Sequence, residues 1–348
     1  MDLNTVWFVL VGVLIAGYAV LDGFDLGVGV LSLLTRSEEE RVIHYKAIGP
    51  VWDGNEVWLL TGGGALFAAF PMVYATVFSG FYLALMLLLL GLIARAVSLE
   101  FRFLLDGPGW RRAFDLAFGL GSLLPALLFG VAVGNILRGV PVAADGEWAG
   151  SFLGLLNPYA VLVGLVSLTF FVLHGALYLR TKAEGALEER MARWIPKLWV
   201  AFAAVYALAT VATGFVSPFL FEGAGRNPLF LALALLVAAS ILAVLPLSRA
   251  GKAGFAFAAS SAAITSMVLV AAVSMFPRLV PSSIDLAYSL TAYNAASTPR
   301  TLTVMLVIAL VGMPLVLGYT IFVYRIFRGK VGPGGEVYGA TVRPLRAP

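Results

Sequence analysis

The chain has 348 residues, 61% hydrophobic and 12% charged, with 23 Lys and Arg against 19 Asp and Glu. A soluble domain carries about 25% charged residues, so a water-soluble globular enzyme is excluded. The basic residues are spread over short segments and form no nucleic-acid footprint. The absence of cysteine rules out disulfides, iron–sulfur clusters and thiolate metal sites within the chain.

Apolar runs long enough to span a bilayer recur along the whole length. The first covers residues 6–33; it lacks a basic leader, is too long for a signal-peptide core and holds two acids, so it reads as a span and not as a cleavable signal. Eight further runs lie at approximately 54–76, 78–100, 113–137, 158–180, 196–217, 228–247, 253–276 and 302–327. The second and third are separated only by the region from Pro71 to Thr76, which predicts a tight helical hairpin. The longest polar connections are 138–157 and 277–301. The tail, 328–348, with Gly332-Pro333-Gly334-Gly335, reads as flexible, and no internal repeat is evident.

The connecting segments set the orientation. One side collects 19 basic residues, among them Arg36, Arg41, Lys46, Arg95, Arg102, Arg111, Arg180 and the tail's Arg343 and Arg346; the other holds four, Arg138, Arg226, Arg278 and Arg300. Basic residues accumulate on the cytoplasmic side, so the N-terminus is expected outside and the C-terminus inside.

Ionised groups in lipid need a partner or a function. Asp22 and Asp25 sit three apart in the first span, on one helix face. Asp53 and Glu56 repeat that spacing at the cytoplasmic start of the second. Together they form a candidate chain of protonatable sites rising from the cytoplasm toward the membrane centre. A plainer reading has Asp53 and Glu56 complementing the dipole of the second helix, with Asp22 capping a break near Gly23.

Gly23, Gly27 and Gly29, and Gly62-Gly63-Gly64, offer small faces for close helix approach. His174 lies in the fifth span and His44 in a basic loop. One intramembrane histidine cannot supply a bis-histidine haem, so His174 reads as a satisfied polar contact or a donor facing lipid or quinone. Trp52 and Trp58 read first as membrane-edge anchors.

The segment Asp22-Gly23-Phe24-Asp25-Leu26-Gly27-Val28-Gly29, and more specifically Gly49-Pro50-Val51-Trp52-Asp53-Gly54-Asn55-Glu56-Val57-Trp58-Leu59 continuing to Pro71, closely resemble subunit II of cytochrome bd-type quinol oxidases. The resemblance resumes at Gly130-Val131-Ala132-Val133-Gly134-Asn135, Leu156-Asn157-Pro158, Met275-Phe276-Pro277 and Pro281-Ser282-Ser283, and so covers nearly the whole chain.

The resemblance implies an all-α integral membrane fold of two four-helix bundles (1–137 and 158–276) plus a peripheral ninth helix (302–327). It implies a location in the bacterial inner membrane and a heterodimer with a similarly folded subunit I. That partner carries haems b and d and oxidises quinol; subunit II binds no haem or metal, and a small single-helix accessory subunit can join. The complex reduces dioxygen to water without pumping, taking the protons it consumes from the cytoplasm. Asp25 and Asp53 match family positions on a subunit II proton path, and Asp22 belongs to the same motif. At Glu56 the family often carries an amide. Some members hold a structural quinone in this subunit, for which Trp52 and Trp58 are candidate contacts. The alternatives are a proton-coupled secondary transporter, which would also use buried carboxylates, and a purely structural subunit.

Overall fold

The computed structural model describes residues 2–35, 37–332, 334, 336–337 and 340–341. Arg36, Pro333, Gly335, Arg343 and Arg346, used above for the charge count and the tail, lie outside the described residues. Helix α1 (Leu3–Ser32) starts where the Asp2 carboxylate accepts the Thr5 N–H at 2.8 Å, an N-cap that satisfies a free first-turn donor. It continues unbroken through Gly23, so Asp22 is a mid-helix residue and caps nothing.

A helix follows that a search for apolar runs passes over. Helix α2 (Glu38–Ile48) carries three glutamates in its first turn and Lys46 in its last, the charge order that complements a helix dipole. Its inner face is buried, and Arg102 fastens it from a neighbouring helix. Arg102 Nη2 lies 2.7 Å from Glu38 Oε1 and its Nε 2.6 Å from Asp115 Oδ1. Inside α2 the fully buried His44 donates from Nδ1 to the Glu40 carbonyl at 2.8 Å.

Burial pushes the His44 imidazole down from 6.5 to about 4. An unfolded His44 therefore takes up a proton below pH 6.5 that the docked one refuses until about pH 4. Docking of α2 should weaken by about 1.4 kcal/mol per pH unit as pH falls through that window. Hydrogen exchange of the α2 amides across this range should show the loss, and His44→Gln should remove this contribution.

Helix α3 (Trp52–Ala69) ends at Phe70, because Pro71 cannot supply the next N–H and forces the preceding residue out of helical geometry. The Ala69 carbonyl accepts instead from the Ser297 N–H at 2.8 Å. The expected tight hairpin at 71–76 is itself a helix, α4 (Pro71–Gly80), and α5 (Tyr82–Phe101) starts just after Phe81. The apolar run alone does not reveal that proline starts a new helix here.

The remaining helices are α6 (Pro108–Arg138), α7 (Pro158–Lys182), α8 (Ala186–Val216), α9 (Pro228–Arg249), α10 (Ala253–Met275) and α11 (Pro299–Ile326). Helices α7, α9 and α11 each begin with a polar cap followed by proline. Asn157, Asn227 and Thr298 accept first-turn N–H groups, and Pro158, Pro228 and Pro299 occupy the position where no N–H is needed. Among the described residues, eight helices (α1, α5, α6, α7, α8, α9, α10 and α11) are long and apolar enough to cross a membrane. The polar first turn of α3 keeps it out of that set.

Helix α1 is central and packs on α3, α6, α7 and α10. A side chain at Gly27 would collide with the Phe171 carbonyl, and one at Gly175 would come within 2.5 Å of the Gly27 backbone, so α1 and α7 cross backbone to backbone. Gly23 lies under the Phe171 ring and Gly29 against Ser122, whereas Gly63 and Gly64 have open space beside them. Gly62 is in ordinary contact with Leu14. Helix α11 lies outermost, against α1 and α3. At the end away from α2, a short pair of strands, β1 (Arg278–Val280) and β2 (Leu290–Thr291), joins the 139–157 segment through Val140.

Candidate functional site

Three charged residues from three helices meet inside the fold. Arg95 of α5 is fully buried, and its two terminal nitrogens point to different acids. Nη1 lies 2.7 Å from Asp22 Oδ1 on α1, and Nη2 donates to Glu56 Oε1 on α3 at 2.6 Å. Asp22 is likewise buried, while Glu56 keeps 21% of its side-chain surface. Asp22 lies about 15 Å along α1 from its C-terminal end, at 1.5 Å per residue.

Arg95 therefore does not belong with the loop cations among which the sequence count placed it. A guanidinium forks naturally between two carboxylates. In a low-dielectric interior it is the counter-charge without which two ionised acids would repel and be strongly penalised.

Asp25, one turn beyond Asp22, faces a neutral partner. Asn55 of α3 donates from Nδ2 to Asp25 Oδ2 at 2.7 Å and to the Leu21 carbonyl at 3.2 Å. The Tyr324 hydroxyl of α11 in turn donates to Asn55 Oδ1 at 2.9 Å. The buried Tyr18 hydroxyl lies beside Asp22, and Asp25 Oδ1 is buried without a protein hydrogen-bond partner. Such an atom is rare in folded proteins. Asp53 is exposed in the first turn of α3.

Of the residues expected from sequence, Asp22, Asp25 and Glu56 thus converge, with Asp53 at their solvent-facing edge. Sequence reasoning missed Arg95, Asn55, Tyr18 and Tyr324. The rule that flagged the acids, a charge inside an apolar run, also flags Arg95 when applied to bases. Asn55 lies between two of the acids, but nothing in the sequence singles out Tyr324.

His174 lies apart from this cluster. Its Nε2–H donates to the Val20 carbonyl at 3.1 Å, its Nδ1 lies 2.7 Å from Ser260 Oγ, and the ring stacks on Phe257. Both ring nitrogens thus have partners within the fold. Among the described residues no group of three or more His, Asp or Glu side chains is arranged to hold a metal.

Trp52 and Trp58 are both buried, so neither is the exposed edge anchor suggested by their position. Trp58 covers Gly17 and lines an apolar cavity of about 250 Å³ with Val13, Leu21 and Leu269; Trp52 packs elsewhere in the core.

Comparison with known proteins identifies the family of the chain. The family model for cytochrome bd terminal oxidase subunit II matches residues 3–327. The cytochrome bd-I ubiquinol oxidase subunit 2 of Escherichia coli K12 is 39% identical, over 94% of this chain and 95% of that protein. The cytochrome bd ubiquinol oxidase subunit 2 of Bacillus subtilis 168 is 36% identical, over 95% and 97%. A solved chain of bd oxidase from Geobacillus thermodenitrificans shares the fold, with a TM-score of 0.78 at 18% identity, covering 94% of this chain and 99% of that one. With eight apolar helices, the protein is a multi-pass protein of the bacterial inner membrane, and it belongs to the cytochrome bd terminal oxidase subunit II family.

Proposed function

We propose that this chain is the haem-free subunit of a bd-type quinol oxidase, stabilising a haem-bearing subunit I and leading protons from the cytoplasm toward the site of oxygen reduction. The observation that carries this reading is the unequal partnering of the two buried acids on α1. Asp22 faces a guanidinium and Asp25 a neutral amide. A carboxylate paired with a fixed cation is a poor proton acceptor, whereas one held by an amide can gain and release a proton without breaking an ion pair. Asp22, Glu56 and Arg95 are therefore the ion-paired frame, one cation shared between two acids, and Asp25 is the exchanging group. Asp53 collects protons at the edge and passes them inward to Asp25, past the ion-paired Glu56.

In this reading α3 is a ninth crossing beside the eight apolar helices, and its polar first turn is the path's mouth. The chain is arranged as two four-helix bundles, 1–137 and 158–276, with α11 peripheral. The basic excess on the α2 side supports an orientation with that end in the cytoplasm and the N-terminus outside. The apolar cavity beside Trp58 suits the hydrocarbon part of a structural quinone, and Trp52 has no share in it. The haems, quinol and oxygen belong to the complex, and a small accessory helix can complete it.

Affinity purification of the tagged chain from native membranes should bring down a haem-bearing subunit in roughly equal amount, seen in the visible spectrum. A haem-free preparation that transports a solute with protons would instead support the transporter reading.

A further inference from the structure

The outermost helix reaches the acid cluster with the Tyr324 hydroxyl. We propose that Tyr324 is a positioning residue for Asp25, acting through the Asn55 amide; this rests on the reading of Asp25 as the proton-exchanging group. A side-chain amide has two donors on nitrogen and one acceptor oxygen. All are used here: Nδ2 donates to the Leu21 carbonyl and to Asp25 Oδ2, and Oδ1 accepts from the Tyr324 hydroxyl.

The Leu21 carbonyl can only accept, so it fixes which end of the amide faces α1. The Tyr324 hydroxyl engages the other end and holds the amide plane against Asp25. Without it a buried carbonyl oxygen has no donor, and the amide turns to find one, loosening the 2.7 Å contact to Asp25.

Tyr324 is itself held from both sides. Toward the start of α11, the Trp7 indole N–H donates to the Leu302 carbonyl at 3.0 Å. Past its end, Val331 N–H donates to the Lys182 carbonyl at 2.7 Å and Lys330 pairs with Glu188 at 2.9 Å. A helix that is otherwise exposed along much of its surface is thus fastened so that one hydroxyl reaches a buried amide.

The test uses the purified two-subunit complex in three forms: native, Tyr324→Phe and Asp25→Asn. Infrared difference spectra in the carboxyl region identify the Asp25 band by its loss in D25N. In Y324F that band should shift and oxygen consumption should fall several-fold, with haem spectra and melting temperature retained. An unshifted band with full turnover in Y324F overturns the proposal, and if D25N is slow, the reading of Asp25 survives. Full turnover in D25N overturns that reading itself. Loss of the haem-bearing partner in Y324F makes the hydroxyl a structural fastener and likewise overturns the proposal.

Discussion

Replacing Asp25 by Asn in the assembled oxidase should slow oxygen reduction by about a hundredfold, the low end of what a positioned proton-transfer group contributes, while haem spectra stay unchanged. The substitution keeps the volume and a hydrogen-bonding oxygen for the Asn55 amide, so packing around α1 is preserved. What it removes is the ability to take and release a proton at a site whose other acids are committed to Arg95. Asp53→Asn should cost much less, since Asp53 is exposed and water can take its place. Oxygen-electrode rates with visible spectra on the same preparations decide the matter. Unchanged turnover in both variants would favour a purely structural subunit, and lost haem spectra would mean that the acids hold the assembly together.

Arg95→Gln should be the most damaging single change to stability, at about 3–5 kcal/mol, the cost of leaving a buried charge without its partner. Removing the guanidinium strands Asp22, which has no exposed surface, and frees Glu56 from α5. The three helices α1, α3 and α5 then lose their common tie. Because the penalty comes from the uncompensated acid, the double variant Asp22→Asn/Arg95→Gln should recover more than half of it. Melting temperature and yield of assembled complex measure both. An R95Q protein as stable as the native one, or a double variant no better than the single, would show that the cluster does not carry this load.

The architecture was largely legible in the sequence because lipid imposes long apolar helices, and their ends announce themselves through pairs such as Asn157-Pro158 and Asn227-Pro228. Two elements escaped for physical reasons. Helix α2 is short and mixed in polarity, so its burial depends on Arg102 and Tyr45 finding Asp115 on α6, far along the chain. Helix α4 hides inside an apolar stretch, where only Pro71 marks the change of direction. In the site, spacing within one helix was readable, which is why Asp22 pairs with Asp25 and Asp53 with Glu56 on paper. Partnerships between helices were not. Nothing local says that Arg95 turns inward, or that Tyr324, 269 residues from Asn55, meets its amide.

The first turn of α3 has a rotational consequence. Asp53, Asn55 and Glu56 leave the helix axis at directions set by steps of about 100° per residue, and each direction has a different addressee: water, the Asp25 amide contact and the Arg95 fork. One turn thus works as a three-way commutator whose settings are fixed by angular phase. Substitutions elsewhere in the turn leave the phase untouched. A single residue inserted between Glu56 and Trp58 would instead rotate this turn by a whole step against the packed body of α3, turning Asn55 away from α1 and Glu56 away from α5 together. The chemistry of each residue here works only at its own angular position.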